Sequence, residues 1–301
     1  MARTSRSVRG KHHLRREEGG SPREQISQHV PVMLAEAIEA LDLHKGDVVV
    51  DATFGKGGHS KAIAKTKGIK LVTIDADPTN KADITGNFGD LKSLLGGVGV
   101  MSVDKVLFDL GWNMTQLSSG KGFSFLTDEP LDMSYGPNPR SSFTAAEILN
   151  TFSEKAIADI IYGYGEERYA KRIARRIVER RDIAPFATTF ELVEAVRDAV
   201  PPAYRHGRLH PATRTFQALR VAVNDELGAL TAGLTQAWEI LNEGGRIAVI
   251  TFHSTEDRVV KQLFKSFGGT LLAKKPLVPT KTEVSANPAS RSAKLRVIIK
   301  Q

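Results

Sequence analysis

Val48-Val49-Val50-Asp51-Ala52-Thr53-Phe54-Gly55-Lys56-Gly57-Gly58 is the stretch whose reading decides the fold. Three β-branched residues closing on an acid have the pattern of a short strand buried on both faces. The glycines behind it permit a tight turn and a close backbone approach to a ligand. A helix is predicted from Ser60. The same pattern recurs outward along the chain. A strand over 71–74 closes on Asp75, and another over 103–108 closes on Asp109. Apolar strands alternating with helices, each strand ending in an acid, predict an α/β fold with a doubly wound parallel sheet. Ligands of such sheets bind at the carboxyl ends of the strands, and all three acids fall there.

The flanks divide the chain further. A helix is expected after Pro31, with Leu34, Ile38 and Leu41 at helical spacing. From 145 to 204 the pattern is helical throughout. Thr144-Ala145-Ala146-Glu147 and Thr188-Thr189-Phe190-Glu191 fit capping boxes. Tyr169, Ile173 and Ile177 mark one face of a helix that carries seven Lys and Arg residues over 168–181. The segment 141–205 therefore reads as an all-helical insertion in a domain made of 28–140 and 206–301. One long helix is predicted from Phe216 to Leu241, stopped by Gly244-Gly245, before strands over 247–252 and 295–299 return the chain to the sheet.

Composition narrows the function. The 301 residues contain no cysteine, which excludes disulfides, thiolate metal sites and a cysteine nucleophile and fits a cytoplasmic location. No apolar run approaches the 18 or so residues of a membrane span. Lys plus Arg number 42 against 34 Asp plus Glu, a net charge of +8. That charge sits at the ends: +4 over 1–24 and +7 over 265–301, leaving about −3 between them. Residues 1–27, rich in Arg, Ser and Gly without an apolar period, are expected to be a disordered arm. Basic ends around a near-neutral body suit a polyanion such as nucleic acid. A solubilising tail and a solvated helix face are the plainer readings of the same charges.

The Gly-rich turn suits either a dinucleotide or S-adenosylmethionine. Ser60 stands where a dinucleotide loop carries its third Gly or Ala, so the methyltransferase type of loop fits better. Asp75, 18 residues beyond Gly57, is placed to accept hydrogen bonds from ribose hydroxyls. Asp109-Leu110-Gly111-Trp112 would close the third strand beside the methyl donor. An exocyclic base amine delocalises its lone pair into the ring, and a carboxylate accepting from its N–H groups favours lone-pair character. Asp109 suits that task, or the capping of a loop. His59 and His253 lack a second ligand at metal spacing, so each is assigned to packing or hydrogen bonding and no metal is expected. Arg214 and Arg220, in the dense run from His210, and Arg172 and Arg176, on the basic helix, are candidates for RNA phosphates.

Taken in order, these residues resemble the family of bacterial 16S rRNA cytosine-N4 methyltransferases, the RsmH or MraW family. The matching words include His29-Val30-Pro31-Val32-Met33-Leu34, Asp51 to Ser60, Phe108-Asp109-Leu110-Gly111, Tyr164-Gly165-Glu166-Glu167-Arg168, Asn224-Asp225-Glu226-Leu227 and Phe252-His253-Ser254. The resemblance spans about 29–300. It implies a Rossmann-like methyltransferase sheet with a helical insertion, S-adenosylmethionine as donor, and N4 of a decoding-centre cytidine in the small ribosomal subunit as target. It places cofactor contacts on Gly57, Gly58, His59, Asp75, Phe88, Asp109 and Gln116, with Phe88 near the adenine. It leaves open a homodimer, another nucleic-acid substrate, or an inactive assembly factor. Trp112-Asn113-Met114 departs from the family's usual Val-Ser-Ser. Ten residues between Asp75 and Gly86 are too few for the family's helix and edge strand. A loop or single helical turn is expected there, with at most a strand stub near Asn87-Phe88, an exposed edge over 71–74, and an open adenine pocket.

Overall fold

The computed structural model describes residues 30–111, 119–135, 140 and 142–301. The expected arm over 1–27, the Trp112-Asn113-Met114 departure and Gln116 lie outside the described residues. Helix α1 (Leu34–Leu41) leads into β1 (Val48–Asp51), α2 (Gly58–Ile63), β2 (Lys70–Asp75), β3 (Ile84–Thr85), α3 (Leu91–Gly97) and β4 (Val103–Asp109). A helical layer follows: α4 (Ala145–Thr151), α5 (Glu154–Gly165), α6 (Ala170–Arg181), α7 (Thr189–Ala199), α8 (Pro202–Arg205) and α9 (Thr213–Val223). The chain then returns through α10 (Glu226–Ile240), β5 (Leu241–Thr251), α11 (Ser254–Phe267), β6 (Thr270–Leu271), α12 (Lys281–Ala286) and β7 (Lys294–Ile299).

The seven strands form one Rossmann-like sheet in the order β3-β2-β1-β4-β5-β7-β6. The first five are parallel, but β7 runs antiparallel to both β5 and β6. The sheet is thus mixed, not wholly parallel as the alternation predicted. An apolar strand pattern records which faces are buried and not which way the strand runs. Both faces are indeed covered. Val50, Val106, Phe108 and Val249 pack with Leu91, Leu230, Leu234 and Phe264 on one side, while Val49, Leu107 and Ala248 pack with Ala37, Leu41 and Ile63 on the other. Successive residues of one strand feed opposite layers, as period two requires.

The helices form their own core around Ile148, Ile161, Ile173, Ile177 and Leu192. That core recruits residues on both sides of the expected 141–205 insertion, from Leu131 and Met133 to Phe216 and Leu219. Both predicted capping boxes are present, at Thr144 with Glu147 and at Thr188 with Glu191. The single long helix is not. It breaks at Asn224-Asp225, where Asp225 takes a left-handed φ of 46°. The Asn224 side chain accepts from the Tyr135 N–H at 2.7 Å and donates to the Met133 carbonyl at 2.8 Å. The break thereby ties the helical layer to the segment after β4. The next helix ends at Ile240, ahead of Gly244-Gly245.

The short connection behaves as its length demands. It holds one 3-10 turn, Pro78–Asn80, and a two-residue strand, β3, paired with Ile74 and Asp75. The stub sits at Ile84–Thr85, earlier than expected, and the edge of β2 is not bare. Below the stub the Asp83 carboxylate accepts from the Thr73 N–H at 2.9 Å and its hydroxyl at 2.8 Å. A side chain here takes the place of the missing ladder bond.

Candidate active site

At the carboxyl end of β1, Asp51 is buried, accepting from the Ser60 hydroxyl at 2.6 Å and the Thr53 N–H at 3.2 Å. Burial raises its proton affinity above that of an ordinary carboxyl. Ser60, which spoiled the dinucleotide pattern, is the residue that holds this acid. Gly57 caps α2 with a φ of 71°, and a β-carbon on it would lie 2.8 Å from the Phe54 ring. A β-carbon on Gly58 would lie 2.2 Å from Pro31. The turn is therefore closed to side chains from within the protein.

Asp75 is set by the same turn. Its two carboxylate oxygens accept from the Gly55 N–H at 2.7 Å and the Asp77 N–H at 2.8 Å. An ionised carboxylate has about four acceptor sites, so both oxygens keep capacity for ribose hydroxyls. Phe88 packs edge-on against Phe108 at 5.6 Å and partly exposes its ring, one residue short of Asp109 in the neighbouring strand.

Asp109 closes β4, its N–H donating to the Thr53 hydroxyl at 2.6 Å. Burial pushes its carboxyl up to about 6, against the opposing pull of His59. Oδ1 is buried without a hydrogen-bond partner. Oδ2 lies 3.4 Å from Nδ1 of His59, whose Nε2 is 3.1 Å from the Val32 carbonyl. An unpaired buried carboxylate oxygen is costly in a structural position, which sets Asp109 apart from the fully engaged Asp51.

Phe252 packs over Gly111, and beyond it a cavity of about 450 Å³ is lined by Phe252, His253, Ser254, Val278, Arg291 and Lys294. Beside it, Glu226, His253 and Glu256 bring their ligand-type atoms within 4.8 Å of one another. These groups are committed elsewhere. Glu226 accepts both arms of the Arg220 guanidinium, at 2.8 and 3.0 Å, and the Tyr135 hydroxyl. Glu256 accepts from the N–H groups of Phe252 and His253 in a capping box on α11. A guanidinium already supplies the positive charge that the carboxylates call for.

The site residues expected from the sequence thus fall into two groups. Gly57, Gly58, His59, Asp75 and Asp109 converge on one end of the sheet, with Phe88 at its flank. The arginines scatter. Arg220 is turned inward onto Glu226, away from solvent phosphates. Arg176 is held by Asp198 at 3.0 Å and Glu179 at 3.5 Å. Arg214 donates to the Glu166 carbonyl at 2.8 Å. Arg172 is exposed beside the Tyr169 ring. Sequence reasoning missed Tyr135, Glu226 and Glu256. It also missed Glu166, whose carboxylate accepts from Ser254 and Arg258 and joins the helical layer to α11. The advance signal was that Glu166, Glu226 and Ser254 stand in the words that carry the family resemblance.

Compared with known proteins, residues 26–301 match the model of the MraW methylase family. The chain is 44% identical to the ribosomal RNA small subunit methyltransferase H of Carboxydothermus hydrogenoformans, over 89% of this chain and 96% of the relative. It is 44% identical to the protein of the same name from Coprothermobacter proteolyticus, over 91% and 96%. For the one from Brevibacillus brevis the figure is 41%, over 89% and 96%.

Proposed function

Since the chain belongs to the MraW methylase family, we propose that it transfers a methyl group from S-adenosylmethionine to N4 of a decoding-centre cytidine in 16S rRNA, within the small ribosomal subunit. The relatives' shared name, a ribosomal RNA small subunit methyltransferase, supports the substrate class. The observation that carries the reaction type is Asp109, a half-buried carboxylate at the end of β4 with one oxygen buried and unpaired.

The residues fit the cofactor. Gly55, Gly57 and Gly58 bring backbone without side chains to the turn, and Asp75 has acceptor capacity left for two ribose hydroxyls. Phe88 offers an apolar edge on the adenine side. Bound there, S-adenosylmethionine supplies a sulfonium methyl group. Asp109 Oδ1 accepts an N–H of the target amine, turning its nitrogen lone pair toward that methyl, so that catalysis rests on orientation. The cavity beside Phe252 receives the RNA strand, with Arg291 at its exposed rim. The helical layer, joined to α11 through Glu166, presents Arg172 to the same polyanion.

The test uses small ribosomal subunits from cells lacking the modification and an isotopically labelled donor. Nucleoside digestion and mass spectrometry should find the label in N4-methylcytidine. Label on a ring carbon, on a ribose or on another base contradicts the reading.

A further inference from the structure

His59 is joined to Asp109 in a way that the binding of a cofactor does not require. Its Nε2 faces the carbonyl of Val32 at 3.1 Å. A carbonyl only accepts, so Nε2 carries hydrogen and the other nitrogen of the neutral ring is bare. That bare Nδ1 points at Asp109 Oδ2 from 3.4 Å. Two lone-pair-bearing atoms face each other, and the arrangement becomes favourable when one proton enters between them. Asp109 Oδ1, meanwhile, is buried and unpartnered. The contact is built from both sides. Asp109 is fixed through its own N–H on Thr53, and the His59 ring is 5% exposed at the start of α2.

We propose that His59 and Asp109 together are the proton acceptor of the methyl transfer, with Asp109 receiving the proton and His59 holding it through Nδ1. The inference rests on the reading of the target as an exocyclic amine. As the methyl moves, the nitrogen–carbon bond forms with the nitrogen lone pair, and the sulfur–carbon bond breaks with its pair going to sulfur. The nitrogen then bears two hydrogens, the methyl and a positive charge. One of its protons passes to Asp109 Oδ1 and the N–H bonding pair returns to nitrogen. Rotation of the carboxyl about its Cβ–Cγ bond carries that proton to the position of Oδ2, from which it passes to Nδ1 of His59, leaving imidazolium against carboxylate. His59 acts through Asp109 and is a positioning residue. The competent resting form has neutral His59 beside ionised Asp109, so the rate rises with pH as the pair gives up its proton. The charges facing the pair are Asp51 on β1 and Glu256 on α11, with Asp75 on β2 next to Asp51. All are acidic and favour retention of a proton, which agrees with an Asp109 carboxyl that burial raises to about 6.

Two measurements test this. In the free protein, nitrogen NMR of the neutral His59 ring should show hydrogen on Nε2 and a bare Nδ1. Hydrogen on Nδ1 of the neutral ring overturns the proposal, because that ring has no site facing Asp109 to fill. In single-turnover assays on small subunits, H59Q keeps a donor toward Val32 but offers no base. Its acid limb should move to lower pH, because the pair loses the nitrogen that stabilises its proton, and its plateau should fall by about tenfold to a hundredfold, at or below the usual range for general-base loss. The assays run at saturating methyl donor, with donor affinity measured by calorimetry, so that a weakened cofactor contact at His59 does not enter the rate. An unchanged pH profile with N4-methylcytidine still the product overturns the proposal alone. A product methylated elsewhere overturns the amine reading, whatever H59Q does.

Discussion

The acids at the end of the sheet and the basic residues of the helical layer are handled in opposite ways. Charge over 168–181 is dense but largely answered: Arg176 by Asp198, Arg180 by Glu194, and Arg181 by the carbonyls of Leu149 and Phe152. At the sheet, Asp51, Asp75 and Asp109 lie close together with little cationic compensation, and one oxygen of Asp109 has no partner. Seven basic residues made the helix conspicuous in the sequence, whereas three isolated acids made the site. Function is better located by what remains unsatisfied after folding than by how much charge a segment carries.

That contrast is sharpest at Arg220, an arginine that the fold consumes. Arg220→Met strands Glu226 in a site with little solvent and should cost about 3 kcal/mol of stability in chemical denaturation, the scale for breaking a buried pair from one side. A loss confined to RNA affinity would return Arg220 to the phosphate-binding group. On the acidic side, Asp75→Ala should weaken S-adenosylmethionine by roughly 2 kcal/mol in calorimetry, the scale of charge-assisted hydrogen bonds. Unchanged affinity removes Asp75 from the cofactor site.

Asp109 should show the cost of an unsatisfied acid directly. Its folded carboxyl titrates near 6, above the 3.8 of a free one. The folded protein therefore binds the extra proton between those values, and stability falls as pH rises through about 4 to 6. Asp109→Asn should be more stable than the parent by about 1 to 2 kcal/mol at pH 7 and no more stable below pH 4. Equal stability at both pH values would show that the carboxylate is satisfied after all. The smallest effects belong to the helix. Arg172→Ala should flatten the log–log salt dependence of RNA binding by roughly 0.7 to 0.9, the slope carried by a single neutralised phosphate. Arg176→Ala should leave that slope unchanged, and equal slopes in the two variants would erase the distinction between paired and unpaired arginines.

Much of this was legible in the sequence because it is local. Each strand ending in an acid, each capping box and the shortness of the link after Asp75 depend on neighbours within a few residues. The link's length alone excluded a helix with a full edge strand, although not the use of Asp83 to cover Thr73. The break at Asn224 was invisible for the opposite reason. Apolar spacing runs on from Val223 to Leu227 without interruption, and the left-handed Asp225 is fixed by bonds from Asn224 to Met133 and Tyr135, about 90 residues away. Arg220 and Glu226 are six apart, a spacing that separates side chains on a continuous helix. Only the break lets them meet. The His59–Asp109 contact likewise joins residues fifty apart through the order of β1 and β4 in the sheet.

The most direct test of the whole contrast is the single-turnover rate of methyl transfer to saturating small ribosomal subunits by Asp109→Asn. Subunit affinity and donor affinity are measured alongside. The variant keeps the shape of the side chain and removes its charge and basicity. The expected rate is lower by about 10²- to 10³-fold with subunit binding intact. A rate equal to that of the parent would contradict it and reduce Asp109 to a structural acid.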